Sequence, residues 1–210
     1  MSELKIIARH AGTVLIGQLA VMAFGIADTV IAGRYSDEAL AALSVGAAIY
    51  ISVYVGLIGI VQALLPIWAE LHGARRYAAL GRSLRQSLYL CGFIAAAGIT
   101  ALLLPGPLLR WAEVPTAMQA EVEAYLAVLA AALLPSLLFR IYSSFNQSLG
   151  RPWLVTWLQV ASLVLKIPLS LWLVMGGAGM PALGVVGCAW ATLVVNYALL
   201  LVAVVMLRTQ

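Results

Sequence analysis

The sequence is poor in charge, in cysteine and in histidine. Asp, Glu, Lys and Arg together make up 10% of its 210 residues, while hydrophobic residues make up 64%. Soluble domains carry about 25% charged residues. A chain with so few polar side chains cannot cover its apolar surface in water. A water-soluble globular fold is therefore excluded, and lipid is the predicted solvent for most of the chain.

The scarcity of reactive side chains excludes several kinds of site. Cys91 and Cys188 both lie inside apolar segments, so they are predicted to be buried thiols rather than a disulfide or metal ligands. The two histidines fall at the edges of apolar segments, away from any acid or serine cluster, so the chain is not expected to be an enzyme. The formal charge of +4 comes from basic residues scattered between apolar segments, which does not indicate a nucleic-acid partner. No cofactor and no metal is predicted.

Six apolar segments are long enough to cross a bilayer, which takes about 20 residues of helix. None of them alternates with period two, and this favours helices over a barrel. The predicted fold class is therefore an all-α membrane protein with six transmembrane helices in a single lobe. Ser36 is the predicted N-cap of the second helix, and Pro66 and Pro168 are expected to disturb the second and fifth. The predicted helix bounds are about 11–32, 39–70, 84–104, 124–146, 153–175 and 183–207.

The basic residues predict the orientation. Lys5 and Arg9 precede the first helix, and four arginines cluster between the second helix and the start of the third. Arg151 lies between the fourth and fifth helices, and Arg208 follows the sixth. If six helices cross the membrane in alternating directions, all of these basic residues lie on the same side. Acidic residues prevail on the other side. By the positive-inside rule, both termini are predicted to be cytoplasmic.

Three charged residues remain well inside the predicted helices, where each costs at least ~2.5–3.5 kcal/mol unless it has a partner or a wet cavity. Asp28 lies 17 residues after Ala11, which is about 25 Å of rise. Lys166 lies 13 residues after Trp153, which is about 20 Å. Helices one and five run in the same direction, so the two side chains share a depth. Two interpretations stay open, namely a structural ion pair that fixes helix packing and a titratable pair exposed to a pathway.

Arg140 is the third charged residue, about 9 Å from the predicted cytoplasmic end of helix four. Its long side chain either extends to the lipid headgroups or lines a cavity on the cytoplasmic side. Four amide side chains in the last three helices are further candidates for lining a cavity, although such groups often only bond neighbouring helices. These are Asn146, Gln147, Gln159 and Asn196.

Four parts of the chain carry a family resemblance by their order and spacing. They are GIADTVIAGR in helix one, LAALSVGAAIYISVYVGLIGIVQALLPIWAELHGARR through helix two, LLFRIYSSFNQSLGRP in helix four, and KIPLSLWLV with GAGMPALGVVGCAWAT through helices five and six. In this combination the chain resembles the N-terminal six-helix half of a NorM-like transporter of the multidrug and toxic compound extrusion (MATE) family. The resemblance implies one lobe of a bacterial inner-membrane antiporter that exports organic cations or drugs in exchange for inward-moving H⁺ or Na⁺. Membrane lipid and a small organic cation are the implied partners.

The resemblance also implies which residues handle the coupling cation. Asp28 falls on the family's helix-one aspartate, and Thr192 fits a polar position of the same site. Lys166 stands where the family typically has Asn, and Ser170 where it has Asn or Asp. Because a lysine ammonium offers no lone pair to a metal ion, Na⁺ binding is less expected here than H⁺ coupling. Asp28, Lys166, Ser170 and Thr192 are the predicted coupling residues.

The sequence has six predicted helices, whereas the family has twelve. Three accounts stay open: a fragment of a longer product, one lobe of a two-chain or homodimeric transporter, or a remnant without transport. Two other functions also stay open. A flippase-like exporter of lipid-linked molecules would need several inward-facing basic residues, and a non-transporting assembly subunit would need no pathway at all.

Overall fold

The computed structural model contains eight helices in the residues that it describes, which are 3–177, 179 and 181–209. The helices are α1 (Glu3–Tyr35), α2 (Asp37–Gln62), α3 (Leu64–Gly73), α4 (Tyr77–Leu103), α5 (Gly106–Trp111), α6 (Thr116–Ser148), α7 (Pro152–Met175) and α8 (Val185–Thr209). The side chains of Lys5, Arg9 and His10 lie outside the described residues. The cytoplasmic placement of the termini therefore stays a prediction.

The described helices form six stretches that are long and apolar enough to cross a bilayer, which confirms the predicted number. The second stretch, Asp37–Gly73, is made of α2 and α3 together. The short helix α5 lies between the third and fourth stretches. When all six stretches cross, the two ends of the described chain come to the same side of the membrane.

Three helices begin well before the residue that the apolar pattern predicts. α1 begins at Glu3 rather than at residue 11. α4 begins at Tyr77 rather than at residue 84, and α6 begins at Thr116 rather than at residue 124. Hydropathy marks only the part of a helix that suits hydrocarbon, whereas backbone hydrogen bonding continues through the polar turns before it. The start of α2 is as predicted, because the Ser36 hydroxyl accepts a hydrogen bond from the backbone N–H of Ala39 at 3.0 Å.

Proline has different effects in different spans. The second span breaks at Ala63, three residues before Pro66, and α3 follows directly. A proline ring clashes with the carbonyl four residues earlier and gives it no donor, which places the disturbance at Gln62. Pro168 does not break α7, which is continuous from Pro152 to Met175. The disturbance expected in the fifth span is therefore limited to the N–H that proline lacks.

α6 is the central helix of the lobe. It packs against α2, α4 and α8, while α7 packs between α1 and α8. Leu126, Leu133 and Leu137 of α6 are completely buried. Large apolar side chains on the outside of the lobe are exposed instead, for example Leu15 and Met22 of α1. An apolar outer surface is what contact with lipid tails requires, because lipid gives such side chains no reason to turn inward.

α7 and α8 approach so closely that only glycine fits at one contact. A Cβ atom added to Gly187 would lie 2.7 Å from the carbonyl carbon of Leu173 and 2.8 Å from the amide nitrogen of Val174. Both of these are backbone atoms, which cannot rotate away. Small residues allow membrane helices to pack at this separation, and α8 is thereby held against the C-terminal half of α7.

We predict that Gly187→Ala destabilises the protein by about 1–3 kcal/mol, because the added methyl group must separate α7 from α8. The measurement is unfolding in detergent by heat or by a titration with SDS. Gly92→Ala in α4 is the matched control, since a Cβ atom there meets nothing within 4 Å. It should be neutral or stabilising. Equal stability of the two variants would contradict the close helix contact.

Candidate functional site

The centre of the candidate site is a buried ion pair between α1 and α7. The Lys166 Nζ atom donates to the Asp28 Oδ2 atom at a distance of 2.7 Å. Asp28 is 7% exposed and Lys166 is 2% exposed. Among the residues whose side chains the structure describes, this is the one ion pair present. The structure therefore brings together the two charges that the depth arithmetic places at one level.

The remaining surroundings of the pair come from three helices. The Ser170 hydroxyl, one turn after Lys166 on α7, donates to the Asp28 Oδ1 atom at 3.3 Å. The Cys188 thiol of α8 lies beside the same carboxylate. The Lys166 ammonium sits 4.6 Å from the centre of the Phe24 ring on α1, a separation at which a ring face attracts a cation. Both carboxylate oxygens and the ammonium thus have partners that stabilise the charged forms.

This arrangement can act as a latch between helices. Breaking a buried pair by removing one partner typically costs about 3–5 kcal/mol, because it leaves an uncompensated charge. Protonation of Asp28, or binding of another cation to it, removes the electrostatic attraction that holds Lys166 in place. The chemistry that the site offers is therefore exchange of one cation for another, or of a cation for a proton, at a single carboxylate.

Thr192, the fourth predicted coupling residue, points back to its own helix. Its hydroxyl donates to the backbone carbonyl of Cys188 at 2.9 Å, so it lies one turn of α8 away from the thiol beside Asp28. Asn196, one turn further, donates to the Ser136 hydroxyl of α6 at 2.8 Å. Of the other predicted coupling residues, Ser170 contacts the ion pair directly and Thr192 does not. Thr192 and Asn196 lie one and two turns after Cys188 on α8.

Gln159 belongs to the contact between α1 and α7. It is buried, and its side-chain oxygen occupies the space that a side chain at Gly17 would need. In the same contact the Thr156 hydroxyl donates to the backbone carbonyl of Thr13 at 2.9 Å. Gln159 therefore contributes to packing two helical turns or so from the ion pair, and does not touch Asp28.

The other candidates follow one another along the C-terminal half of α6. Asn146 is completely buried and donates to the Tyr142 carbonyl at 3.0 Å, while Gln147 donates to the Ser143 hydroxyl at 2.9 Å. Both therefore bond within their own helix. Arg140 is half-buried, and its Nε atom is buried with no hydrogen-bond partner. None of the three is at the ion pair.

Three tyrosines also lie near the site. Tyr125 of α6 lies within electrostatic reach of both Asp28 and Tyr50. Tyr50 and Tyr54 of α2 stack with ring centres 5.6 Å apart and planes 12° apart. The Tyr50 hydroxyl lies in hydrogen-bonding position to Ser136. The spacing of four between Tyr50 and Tyr54, which puts both on one face of a helix, was the available signal; Tyr125 offered none.

A family model described as MatE matches residues 14–172. This is most of the chain and includes both members of the ion pair. The chain belongs to the MatE family. A probable multidrug resistance protein NorM of Aromatoleum aromaticum is 41% identical over 188 residues, which cover 90% of this chain and 41% of that protein. The multidrug resistance protein NorM of Vibrio cholerae is 32% identical over 201 residues, which cover 95% of this chain and 44% of that protein.

Solved structures agree on the fold of this MatE-family chain. The Vibrio cholerae MATE transporter VcmN in the bent form has a TM-score of 0.88 at 20% identity, covering 98% of this chain and 46% of that one. A transporter of the MOP superfamily from Pyrococcus furiosus has a TM-score of 0.76 at 22% identity, covering 95% of this chain and 43% of that one. The chain thus has the fold of a MATE lobe and spans less than half the length of the relatives that it matches.

We predict that Asp28 and Lys166 are strongly coupled in stability. Asp28→Asn and Lys166→Met should each destabilise the protein by about 3–5 kcal/mol, because each leaves one buried charge without a partner. The double variant should lose much less than the sum of the two, since no unpaired charge remains. Unfolding of all four proteins in detergent gives the coupling energy. Additive losses would mean that the two charges do not stabilise each other.

Proposed function

We propose that this chain is one lobe of a cation-coupled secondary transporter that moves organic cations out of the cell. The observation that carries the proposal is the buried pair of Asp28 and Lys166, which holds an ionisable carboxylate deep in a membrane-spanning helix. Such groups are rare within membranes and mark ion or substrate pathways. The membership in a family whose relatives are named multidrug resistance proteins supports the same conclusion.

In the proposed mechanism the ion pair distinguishes two arrangements of α1 and α7. With Asp28 ionised, Lys166 is held in place and the two helices are joined at this level. Protonation of Asp28, or approach of a cationic substrate to it, releases the ammonium and allows the helices to shift. A ligand can move such an equilibrium only by binding one arrangement better than the other. In one arrangement the Asp28 carboxylate is occupied by Lys166, and in the other it is free to bind a proton or a cationic substrate.

We propose a proton as the coupling ion. A sodium ion needs several oxygen ligands, and Lys166 offers a competing positive charge in place of a lone pair. The ammonium already occupies the Asp28 Oδ2 atom at 2.7 Å. A proton needs only one lone pair of the carboxylate, so it can neutralise Asp28 without assembling a new coordination shell.

The two rival functions have less support from the site. A flippase-like exporter needs free basic groups facing inward, but the charge of Lys166 is neutralised by Asp28. Among the lysines and arginines whose side chains the structure describes, Arg140 is then the only other one that is not exposed. A non-transporting assembly subunit would use the pair for packing alone. That function requires that an apolar pair at positions 28 and 166 works as well as the native one.

A single lobe does not enclose a pathway, so we propose that a second lobe completes the transporter. It is either further chain of a longer protein or a second copy of this chain. The relatives support this, since they are more than twice as long as the stretch that matches. Because the relatives are bacterial proteins, we further propose the bacterial inner membrane as the location, with both termini in the cytoplasm.

We predict that Asp28→Asn abolishes proton-driven efflux of a lipophilic cation, because an amide cannot exchange a proton with the pathway. The measurement is the efflux of ethidium in vesicles that carry the protein, started by a pH gradient, and repeated with a sodium gradient in its place. Asp37→Asn is the matched control: it makes the same chemical change at an exposed residue in the first turn of α2. It should transport like the native chain.

Native-like proton-driven efflux by Asp28→Asn would exclude Asp28 as the coupling group. Efflux driven by sodium alone would exclude the proton as the coupling ion. No efflux by the native chain, together with native-like stability of a variant in which Asp28 and Lys166 are both replaced by leucine, would favour the assembly subunit.

We predict that the transporting species contains two lobes. If a second copy supplies the second lobe, the purified complex should hold two copies of this chain, whose mass is 22.3 kDa each. Light scattering of the complex with correction for detergent gives the number of copies. A single copy that nevertheless catalyses efflux would overturn the need for a second lobe. A single inactive copy would indicate that the second lobe lies in further chain.

A further inference from the structure

Four arginines lie close together in the chain where α3 ends and α4 begins. They are Arg75, Arg76, Arg82 and Arg85, and all four are exposed. Glu70 is the one acidic residue between positions 39 and 112, and the first turn of α4 carries no acid. Among the side chains that the structure describes, none of the four arginines forms an ion pair. This end of α4 therefore holds more positive charge than the chain itself neutralises.

Arg82 and Arg85 lie at the level of the lipid phosphates when α4 crosses the membrane. A hydrocarbon core about 30 Å thick takes about 20 residues of helix. Counted back from Leu103, the last residue of α4, this stretch begins at Leu84, between the two arginines. The turns before Leu84 then lie among the headgroups. An exposed arginine at this depth is beside the phosphate groups of the lipid.

One face of α4 joins these two arginines to aromatic residues deeper in the membrane. Arg82, Arg85, Tyr89 and Phe93 follow one another at spacings of three and four, which places them on one side of a helix. Tyr89 is 74% exposed and Phe93 is 75% exposed. The other side of α4 packs against α2, α3 and α6, so this face points away from the lobe. It has a positive end at the headgroups and an apolar length in the hydrocarbon.

We propose that this face of α4 binds one anionic phospholipid, with the phosphate at Arg82 and Arg85 and an acyl chain along Tyr89 and Phe93. A guanidinium group donates to two phosphate oxygens at once, and basic residues beside a membrane-spanning helix attract anionic headgroups. A zwitterionic lipid binds less well, because its ammonium group is repelled by the same arginines. A lipid is favoured over a soluble phosphate compound or an acidic segment, since it supplies both the anion and the apolar chain at the depths where this face needs them.

The test measures the preference of the purified chain for phosphatidylglycerol over phosphatidylcholine with the same acyl chains. Both lipids are added in equal amounts to the chain in detergent, and native mass spectrometry counts the molecules of each that stay bound. The native chain should retain phosphatidylglycerol at least about tenfold more than phosphatidylcholine. In the double variant Arg82→Gln with Arg85→Gln the ratio should fall to within about twofold of equality, because the groups that bind the phosphate are gone.

Two further variants separate this face from the rest of the surface. Arg151→Gln with Arg208→Gln is the matched control, since it also removes two exposed positive charges, and it should keep the native ratio. Tyr89→Ala should weaken both lipids alike and leave the ratio unchanged, because it removes contact with the acyl chain alone. All of these substitutions are at exposed residues, so the unfolding temperatures in detergent without lipid should match that of the native chain.

Three results would overturn the proposal. A native ratio near equality would mean that the arginines serve an acidic partner, such as a second lobe, and not a lipid. An equal loss of preference in the control at Arg151 and Arg208 would mean that the general surface charge attracts the lipid. Displacement of the lipid by an equal concentration of glycerol phosphate would mean a site for soluble phosphate. The site requires that α4 crosses the membrane and does not depend on transport, so a failure of Asp28-dependent efflux would leave this result standing.

Discussion

A carboxylate in hydrocarbon has to be neutralised, and this constraint organises the lobe. Asp28 lies about two turns before the end of α1 at Tyr35 and is buried, so its short side chain does not reach bulk water; Lys166 of α7 meets it at 2.7 Å. The two helices are therefore in contact at a fixed level. The rest of their interface follows, with Gly17 leaving room for Gln159 and with Thr156 donating to the Thr13 carbonyl. α8 joins them through Gly187, which lets its backbone lie against that of Leu173.

The polar groups of the lobe extend from this pair in one direction. From Asp28 they pass by way of Tyr125 to Tyr50 on α2, to Ser136 and Arg140 on α6 and to Asn196 on α8. The packing of α6 against α2, α4 and α8 makes this possible, because it brings the inward faces of three helices together. Gly46 contributes as well, since a Cβ atom there would lie 2.7 Å from the Tyr125 ring. These polar groups therefore form a small connected cluster within a core that is otherwise apolar.

The sequence is sufficient to predict the number of spans and the common depth of Asp28 and Lys166. Hydropathy reports depth directly, and two parallel helices of known rise place both charges at one level. The sequence does not predict where each helix lies in the plane of the membrane or which way its side chains face. Nothing in the pattern shows that Thr192 bonds within its own helix, that Tyr125 faces Asp28, or that Pro66 breaks its span while Pro168 leaves α7 continuous. These depend on which helices become neighbours and on how each rotates about its axis, and both are decided by packing between residues far apart in sequence.

Lys166 distinguishes this lobe from one in which the carboxylate has no internal counterion and binds only cations from outside. The chain carries its own cation, tethered at the end of a side chain and further stabilised by the Phe24 ring at 4.6 Å. Any other cation that binds Asp28 must release more free energy than the ammonium, which is always present at high effective concentration. A proton does not compete in this way, because it bonds covalently to the carboxylate. The charge of Asp28 is then lost, and with it the attraction to Lys166. Under the proposed function, such a lobe responds to protonation first, and to an organic cation only if that molecule brings contacts beyond its charge.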